Sequence, residues 1–182
     1  MSKLPLITLE TADDLAQPIL NHAKTNFGMI PNFFAAIGID GASLSGFLAF
    51  QETLNNNAQL TAQQRELIAL SVANYNGCHY CVSGHTFSAK RAGLTSDECI
   101  NAQKGKSADI KDQAMIDLAL NILKTNAHLT DEMLADAKNN GITDQQIIQI
   151  TALTALNTLS NWVNNIVDPT IDFPKVDLIS NP

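Results

Sequence analysis

From Asn32 to Asp168 the chain has no proline; its six prolines stand at 5, 18, 31, 169, 174 and 182. Nothing in that span interrupts a helix, and no run alternates apolar and polar residues as a half-buried strand would. Basic residues are also scarce. None occurs between Lys24 and Arg65, the net charge is −7 and the sequence pI is about 4.8. This balance excludes nucleic acid and anionic membrane surfaces as partners. The longest apolar run, FFAAIGIDGASLSGFLAF, is broken by Asp40, three glycines and two serines. It suits a pair of buried helices rather than a membrane span. The opening MSKLPLITLE has no apolar core of a secretory leader. Three cysteines are an odd number and too few for a disulfide scaffold. A cytoplasmic protein is expected, in which a C-x-x-C is usually catalytic or metal-binding.

What is present reads as helix. The 182 residues are 45% hydrophobic and 16% charged, an ordinary globular composition with enough chain for one core. Thr61-x-x-Gln64, Thr95-x-x-Glu98 and Thr143-x-x-Gln146 have the pattern of capping boxes, each preceded by an apolar residue (Leu60, Leu94, Ile142) that can staple the helix start. Gly93 and Gly141 stand where a preceding helix would end. The expectation is an all-α fold of about eight helices in one domain over 1–182. Residues 1–30 form a leading arm and helix, and 168–182 an irregular tail lying over the surface or a neighbouring subunit. LTAQQRELIALSVANYN also aligns with ITDQQIIQITALTALNT, either as a duplicated helical unit or as convergent capping chemistry.

The chemistry concentrates in NYNGCHYCVSGH, residues 74–85. Asn76-Gly77 ends one helix and Cys78 lies near the start of the next. At about 100° per residue, Cys78, Cys81 and His85 fall within an arc of about 60°, while His79 and Tyr80 point elsewhere. A helix start and a neighbouring imidazole both favour thiolate, the nucleophilic form. Sulfurs at i and i+3 can close a disulfide, so one can resolve what the other forms. Glu66, in the apolar helix RELIALSVA, shares a face with Ala69, Leu70 and Ala73. It is either the partner of His85 or simply a charge near a helix start.

Glu66, Cys78-x-x-Cys81 and His85 together resemble the signature of the AhpD-like alkylhydroperoxidases, within the carboxymuconolactone decarboxylase superfamily. The likeness is close from about Leu60 to Gly93, and Gly28-x-x-Pro31-Asn32 is similar to the longer, peroxidase-related members. The resemblance implies a helical fold assembled as a homo-trimer or homo-hexamer. It implies thiol-dependent reduction of a hydroperoxide in which Cys81 attacks, Cys78 resolves, and a Glu66–His85 relay moves the proton. The electron donor would be a peroxiredoxin, a lipoyl protein or a small dithiol, with no cofactor. Tyr80 stands where the family's best-studied type has a histidine, and is the candidate to donate a hydrogen bond in its stead.

Competing readings are few. Cys78, Cys81 and His85 would give zinc three ligands, but a structural site takes four and no second C-x-x-C exists. Cys99 reads as a spectator, His22 and His128 as surface residues, and Trp162 as core or subunit interface. Gly84 would let a helix or substrate approach closely. The alternative functions are a lactone decarboxylase, which would not need the dithiol, and a non-catalytic redox-sensing or thiol–disulfide adaptor subunit.

Overall fold

All three expected capping boxes form. In the computed structural model, which describes residues 2–179, Thr61, Thr95 and Thr143 accept the backbone N–H groups of Gln64, Glu98 and Gln146. Those side chains accept the threonine N–H in return. Leu60, Leu94 and Ile142 are buried beside them. Gly93 and Gly141 take positive φ (98° and 81°), which only glycine adopts without strain.

The described residues form nine helices: α1 Ala16–Phe27, α2 Asn32–Ile37, α3 Gly41–Asn56, α4 Ala62–Tyr75, α5 His79–Arg91, α6 Ser96–Gln103, α7 Ile110–Thr125, α8 Asp131–Asn139 and α9 Asp144–Val167. No strand occurs among them, so the all-α expectation holds. Nine helices stand against the expected number of about eight, and the pair expected from the apolar run is present. The apolar run 33–50 becomes α2 and α3, but only one side of α3 is buried, with Leu44 and Phe47 inside and Phe50 43% exposed. No helix of the described residues is long and apolar enough to cross a membrane.

Helix α4 is the centre of the packing. Leu67 to Asn74 are buried without a break, and the helix packs against α5, α6, α7 and α9. One side contributes Ile68 and Val72 to a core shared with α7, α8 and α9; the other contributes Leu67 and Leu70 to a core with Ala89 of α5 and Cys99 of α6. The two segments that align in sequence, α4 and α9, begin with the same cap and lie against each other.

The C-terminal arm, 168–179, turns back over its own chain. Asp168 takes a left-handed conformation (φ 53°) at the end of α9. The Asp172 carboxylate then accepts the backbone N–H and the side-chain amide of Asn32, each at 2.7 Å. Val176 donates its N–H to Ser83 Oγ (3.0 Å), and Asn74 exchanges two hydrogen bonds with the backbone of Ile179. Gly28 (φ 74°) ends α1 and Pro31 opens α2, so the Gly28-x-x-Pro31-Asn32 stretch is the junction on which this arm docks.

Tyr80 joins the two. Its hydroxyl donates to Asp172 Oδ2 (2.7 Å) and accepts the Phe33 N–H (3.2 Å). Burial, and then the Asp172 carboxylate, push its pKa well above the ordinary tyrosine value. A phenol whose folded pKa is raised adds stability that is fully present below the unfolded pKa of about 10. That contribution is lost as pH climbs towards the folded value. Tyr80→Phe is therefore expected to cost about 1–3 kcal/mol at neutral pH. In urea unfolding across a pH series, the gap to wild type should stay constant below about pH 9 and shrink above about pH 10. A gap that does not change with pH would show that the phenol proton is not what holds the arm.

Candidate active site

Helix α4 is capped by Asn76, and Gly77 (φ 67°) reverses the chain. The Cys78 N–H returns to the Ala73 carbonyl (2.9 Å). Cys78 is then the N-cap of α5, its sulfur accepting the Cys81 N–H at 3.1 Å. Sulfur stands here where Ser, Thr, Asp or Asn would normally cap. Cys78 and Cys81 are joined in a disulfide, and both are buried at the positive end of α5.

One helical turn beyond Cys81, His85 meets Glu66 of α4, Nδ1 to Oε2 at 2.9 Å. Of the two readings of Glu66, the partner of His85 is the one realised. Both side chains sit at the rim of the core, 21% exposed for Glu66 and 27% for His85, so the carboxylate is less buried than the apolar sequence around it suggests. With Nδ1–H donating to the carboxylate, Nε2 is the ring nitrogen left free to act as a base.

Sequence reasoning missed Asn164. It lies on α9, is 5% exposed, and donates from Nδ2 to Cys81 Sγ at 3.3 Å. The available signal was a row of asparagines on α9: Asn157, Asn161 and Asn164, all buried, repeat at helical spacing. A buried asparagine requires partners, and such a row points at something polar across the interface.

Tyr80, proposed for the relay, is brought to the arm instead. Its single proton is spent on Asp172, and the geometry gives it no hydrogen bond to either sulfur among the described residues. His79 is exposed and lies on a cavity wall. Cys99 is buried with Leu67, Leu70 and Ala102, and burial pushes its thiol pKa up, as suits an inert core thiol. His22 and His128 are exposed. Trp162 is 59% exposed, which removes core as an explanation for it. Among the described residues no group of three or more His, Cys, Asp or Glu comes together to hold a metal ion.

A cavity of about 430 Å³ opens beside the dithiol. Its walls are Cys78, His79 and Tyr80 from the start of α5, Asn164 and Asn165 from the end of α9, and arm residues that include Thr170 and Lys175. Ile171, which also lines the cavity, packs with Phe173, Val176 and Leu178 of the arm on the cluster containing both cysteines. Phe173 stacks edge-on to Tyr80 and lies 3.1 Å from where a Cβ on Gly84 would be. The close approach expected at Gly84 is thus made by the chain's own arm.

A helical hairpin that carries a buried dithiol, with an imidazole–carboxylate pair one turn on, defines a class of helical thiol proteins. The carboxymuconolactone decarboxylase family model matches residues 42–104, from the start of α3 to the end of α6. A protein described as "Uncharacterized protein 4 in cox locus" of Paracoccus denitrificans is 32% identical over 77 residues, covering 40% of this chain and 69% of that protein. The chain belongs to the carboxymuconolactone decarboxylase family. Among solved structures, a peroxidase-related protein with an AhpD core from Ralstonia eutropha is 24% identical with a TM-score of 0.81, covering 94% of this chain and 92% of that one. A peroxidase-related protein from Silicibacter sp. is 21% identical with a TM-score of 0.79, at the same coverage. The debrominase Bmp8 is 20% identical with a TM-score of 0.74, covering 92% of this chain and 90% of that one. At these identities the likeness is one of fold.

Phe173→Ala should loosen the arm over the dithiol. Each ring contact it removes is worth about 0.5–1.5 kcal/mol. Reduction of the Cys78–Cys81 bond by dithiothreitol, followed by mass mapping, should then run roughly 2- to 10-fold faster than in wild type. An unchanged rate would mean that the arm does not limit access to the sulfurs.

Proposed function

We propose that the protein is a thiol-dependent hydroperoxide reductase whose working unit is the Cys78–Cys81 dithiol. The observation that carries this reading is the disulfide at the start of α5 on the same helix as a His85 already oriented by Glu66. In the reduced protein the Cys81 thiol gives its proton to His85 Nε2, one turn along the helix. The thiolate attacks the peroxide, forming an S–O bond as the O–O bond breaks. The departing alkoxide leaves as alcohol, taking the proton held by His85. Cys78 then attacks the sulfenic sulfur, and the hydroxide it displaces leaves as water with the proton that the Cys78 thiol gives up. A dithiol donor, whether a peroxiredoxin, a lipoyl protein or a small molecule, reduces the disulfide. The relatives named as peroxidase-related support the reaction class, and the reducing cytoplasm is the compartment in which such a cycle would turn over.

A second assignment of the sulfurs has its own support. Cys78 lines the cavity and receives a backbone N–H, which favours Cys78 as the attacking thiolate. Helix-end stabilisation contributes up to about 1 kcal/mol at an exposed site, whereas a positioned acid–base group is worth about 10²- to 10⁴-fold in rate. The larger effect favours Cys81. Purified protein should consume tert-butyl hydroperoxide with dithiothreitol or dihydrolipoamide, and Cys81→Ser should abolish this. Glu66→Gln and His85→Ala should each slow it by about 10²-fold or more, with the double variant little worse than either. Dimedone should label Cys81 in the Cys78→Ser protein. A label found only on Cys78 in Cys81→Ser reverses the roles, and no consumption by wild type removes the peroxidase reading in favour of a redox adaptor.

The same reading includes self-association as a trimer or hexamer. Ile148, Leu159, Trp162 and Ile166 are 45–70% exposed on α9, and with Ala152 and Ala155 they follow a three–four spacing that forms one stripe. So large an apolar face is unusual on a monomer. Light scattering at micromolar concentration should give a trimer or hexamer, and Trp162→Glu should shift it towards monomer. A wild-type monomer would overturn this part.

A further inference from the structure

Asn164 is held in place from both sides. Its neighbours on α9, Asn161 and Asn165, both bond Asn76, the last residue before the glycine turn. Asn76 Nδ2 donates to Asn161 Oδ1 at 3.0 Å, and Asn165 Nδ2 donates to the Asn76 carbonyl at 2.9 Å. These bonds fasten the end of α9 to the turn that precedes Cys78. Asn164, between them and 5% exposed, is directed at Cys81. Sulfur is an acceptor, so Nδ2 must be the atom facing it. The other end of the amide, Oδ1, is buried and has no hydrogen-bond partner among the described residues. Asn164 also forms part of the wall of the cavity that reaches Cys78. A buried acceptor left open is costly, and here it belongs to a residue that lines the cavity next to the dithiol.

We infer that Asn164 is a catalytic residue with two tasks: Nδ2–H stabilises the Cys81 thiolate, and Oδ1 accepts the O–H of the bound hydroperoxide. This deepens the reading given above and rests on it. A hydrogen bond to a charged sulfur is stronger than one to the disulfide, so the donor end favours the reduced, ionised state over the oxidised one. The acceptor end selects substrates. A hydroperoxide, ROOH, has the O–H that Oδ1 requires, whereas a dialkyl peroxide lacks it and would leave the buried oxygen unpaired. Between them the two ends set the distance and direction from sulfur to substrate. In the attack the sulfur–oxygen bond forms and the O–O bond breaks as described, and Asn164 gains and loses no proton.

The donor task is read without any peroxidase assay. In a Cys78→Ser, Cys99→Ser background only Cys81 titrates among the cysteines, and the ultraviolet absorbance of its thiolate gives the pKa. Asn164→Leu, close in size but unable to donate, should raise that pKa by roughly 1–2 pH units. An unmoved pKa overturns the donor role whether or not the protein reduces peroxides. The acceptor task is read by single-turnover reaction of the same Cys81 thiolate with tert-butyl hydroperoxide, at a pH above the pKa of both proteins. There a loss of about tenfold or more should persist in Asn164→Leu, because the thiolate is complete and, without its N–H donor, more nucleophilic, so that a slower reaction reports the missing substrate contact. Equal rates at that pH overturn the acceptor role. If Asn164→Leu does not fold by circular dichroism, Asn164→Ala carries the same two comparisons.

Discussion

Gly77 takes a φ of 67° immediately after α4, a conformation open to glycine at little cost. Every distance in the site follows from that reversal. Helices α4 and α5 become an antiparallel pair, in which residues equally far from the turn face each other. Glu66 and His85 lie about ten residues on either side of Asn76, and they meet at 2.9 Å. The same reversal starts α5 at Cys78, so that a sulfur occupies the cap position and Cys81 falls beside it. Asn76, one residue before the glycine, ties the turn to α9 through Asn161 and Asn165 and thereby sets Asn164 against Cys81. A β-branched residue at 77 would be strained in the left-handed region and would misalign all three partnerships together.

The two sulfurs, equivalent in the C-x-x-C spelling, have different surroundings. Cys78 Sγ accepts a backbone N–H at the first turn of α5, whereas Cys81 Sγ accepts the side-chain amide of Asn164, with His85 one turn along the helix. The proposed reaction would use that asymmetry, since an attacking thiol must ionise easily and a resolving thiol must wait for the sulfenic acid. The arm adds a dry cover. Ile171, Phe173, Val176 and Leu178 remove the sulfurs from bulk water, which strengthens each hydrogen bond to a thiolate. On the proposed reading, a macromolecular donor would reach the disulfide by way of the cavity or by displacing the arm.

Local grammar was legible and long-range grammar was not. The capping boxes, the glycine stops, the dithiol with His85, and Glu66 as a candidate partner could all be read because each depends on residues within a few positions or on a hairpin of known period. Tyr80 and Asn164 could not. The role of Tyr80 depends on Asp172, 92 residues away, and that of Asn164 on Cys81, 83 residues away. Neither carries a local mark, since a tyrosine on a helix and an asparagine near a helix end are both ordinary. The arm illustrates the same limit. Its prolines announced that it would not be helical, but whether it covers its own chain is decided by Asn32, Ser83 and Asn74, which lie in three separate helices.

The region matched to the family, 42–104, contains Glu66, both cysteines and His85. The cavity beside them is completed by residues outside that region: Asn164, Asn165, Thr170, Ile171 and Lys175. On the proposed reading this divides the work. The shared hairpin supplies a nucleophile, a resolving thiol and a base, while the end of α9 and the arm decide what may approach them. A fold held in common by peroxidase-related proteins and a debrominase fits such a division, because one hairpin can serve several chemistries when its cover changes. Substrate choice in this chain should therefore respond to substitutions in α9 and the arm far more than to changes elsewhere on α4 and α5. Asn164 is one position where the two parts touch, its Nδ2 on the Cys81 sulfur and the residue itself in the cavity wall.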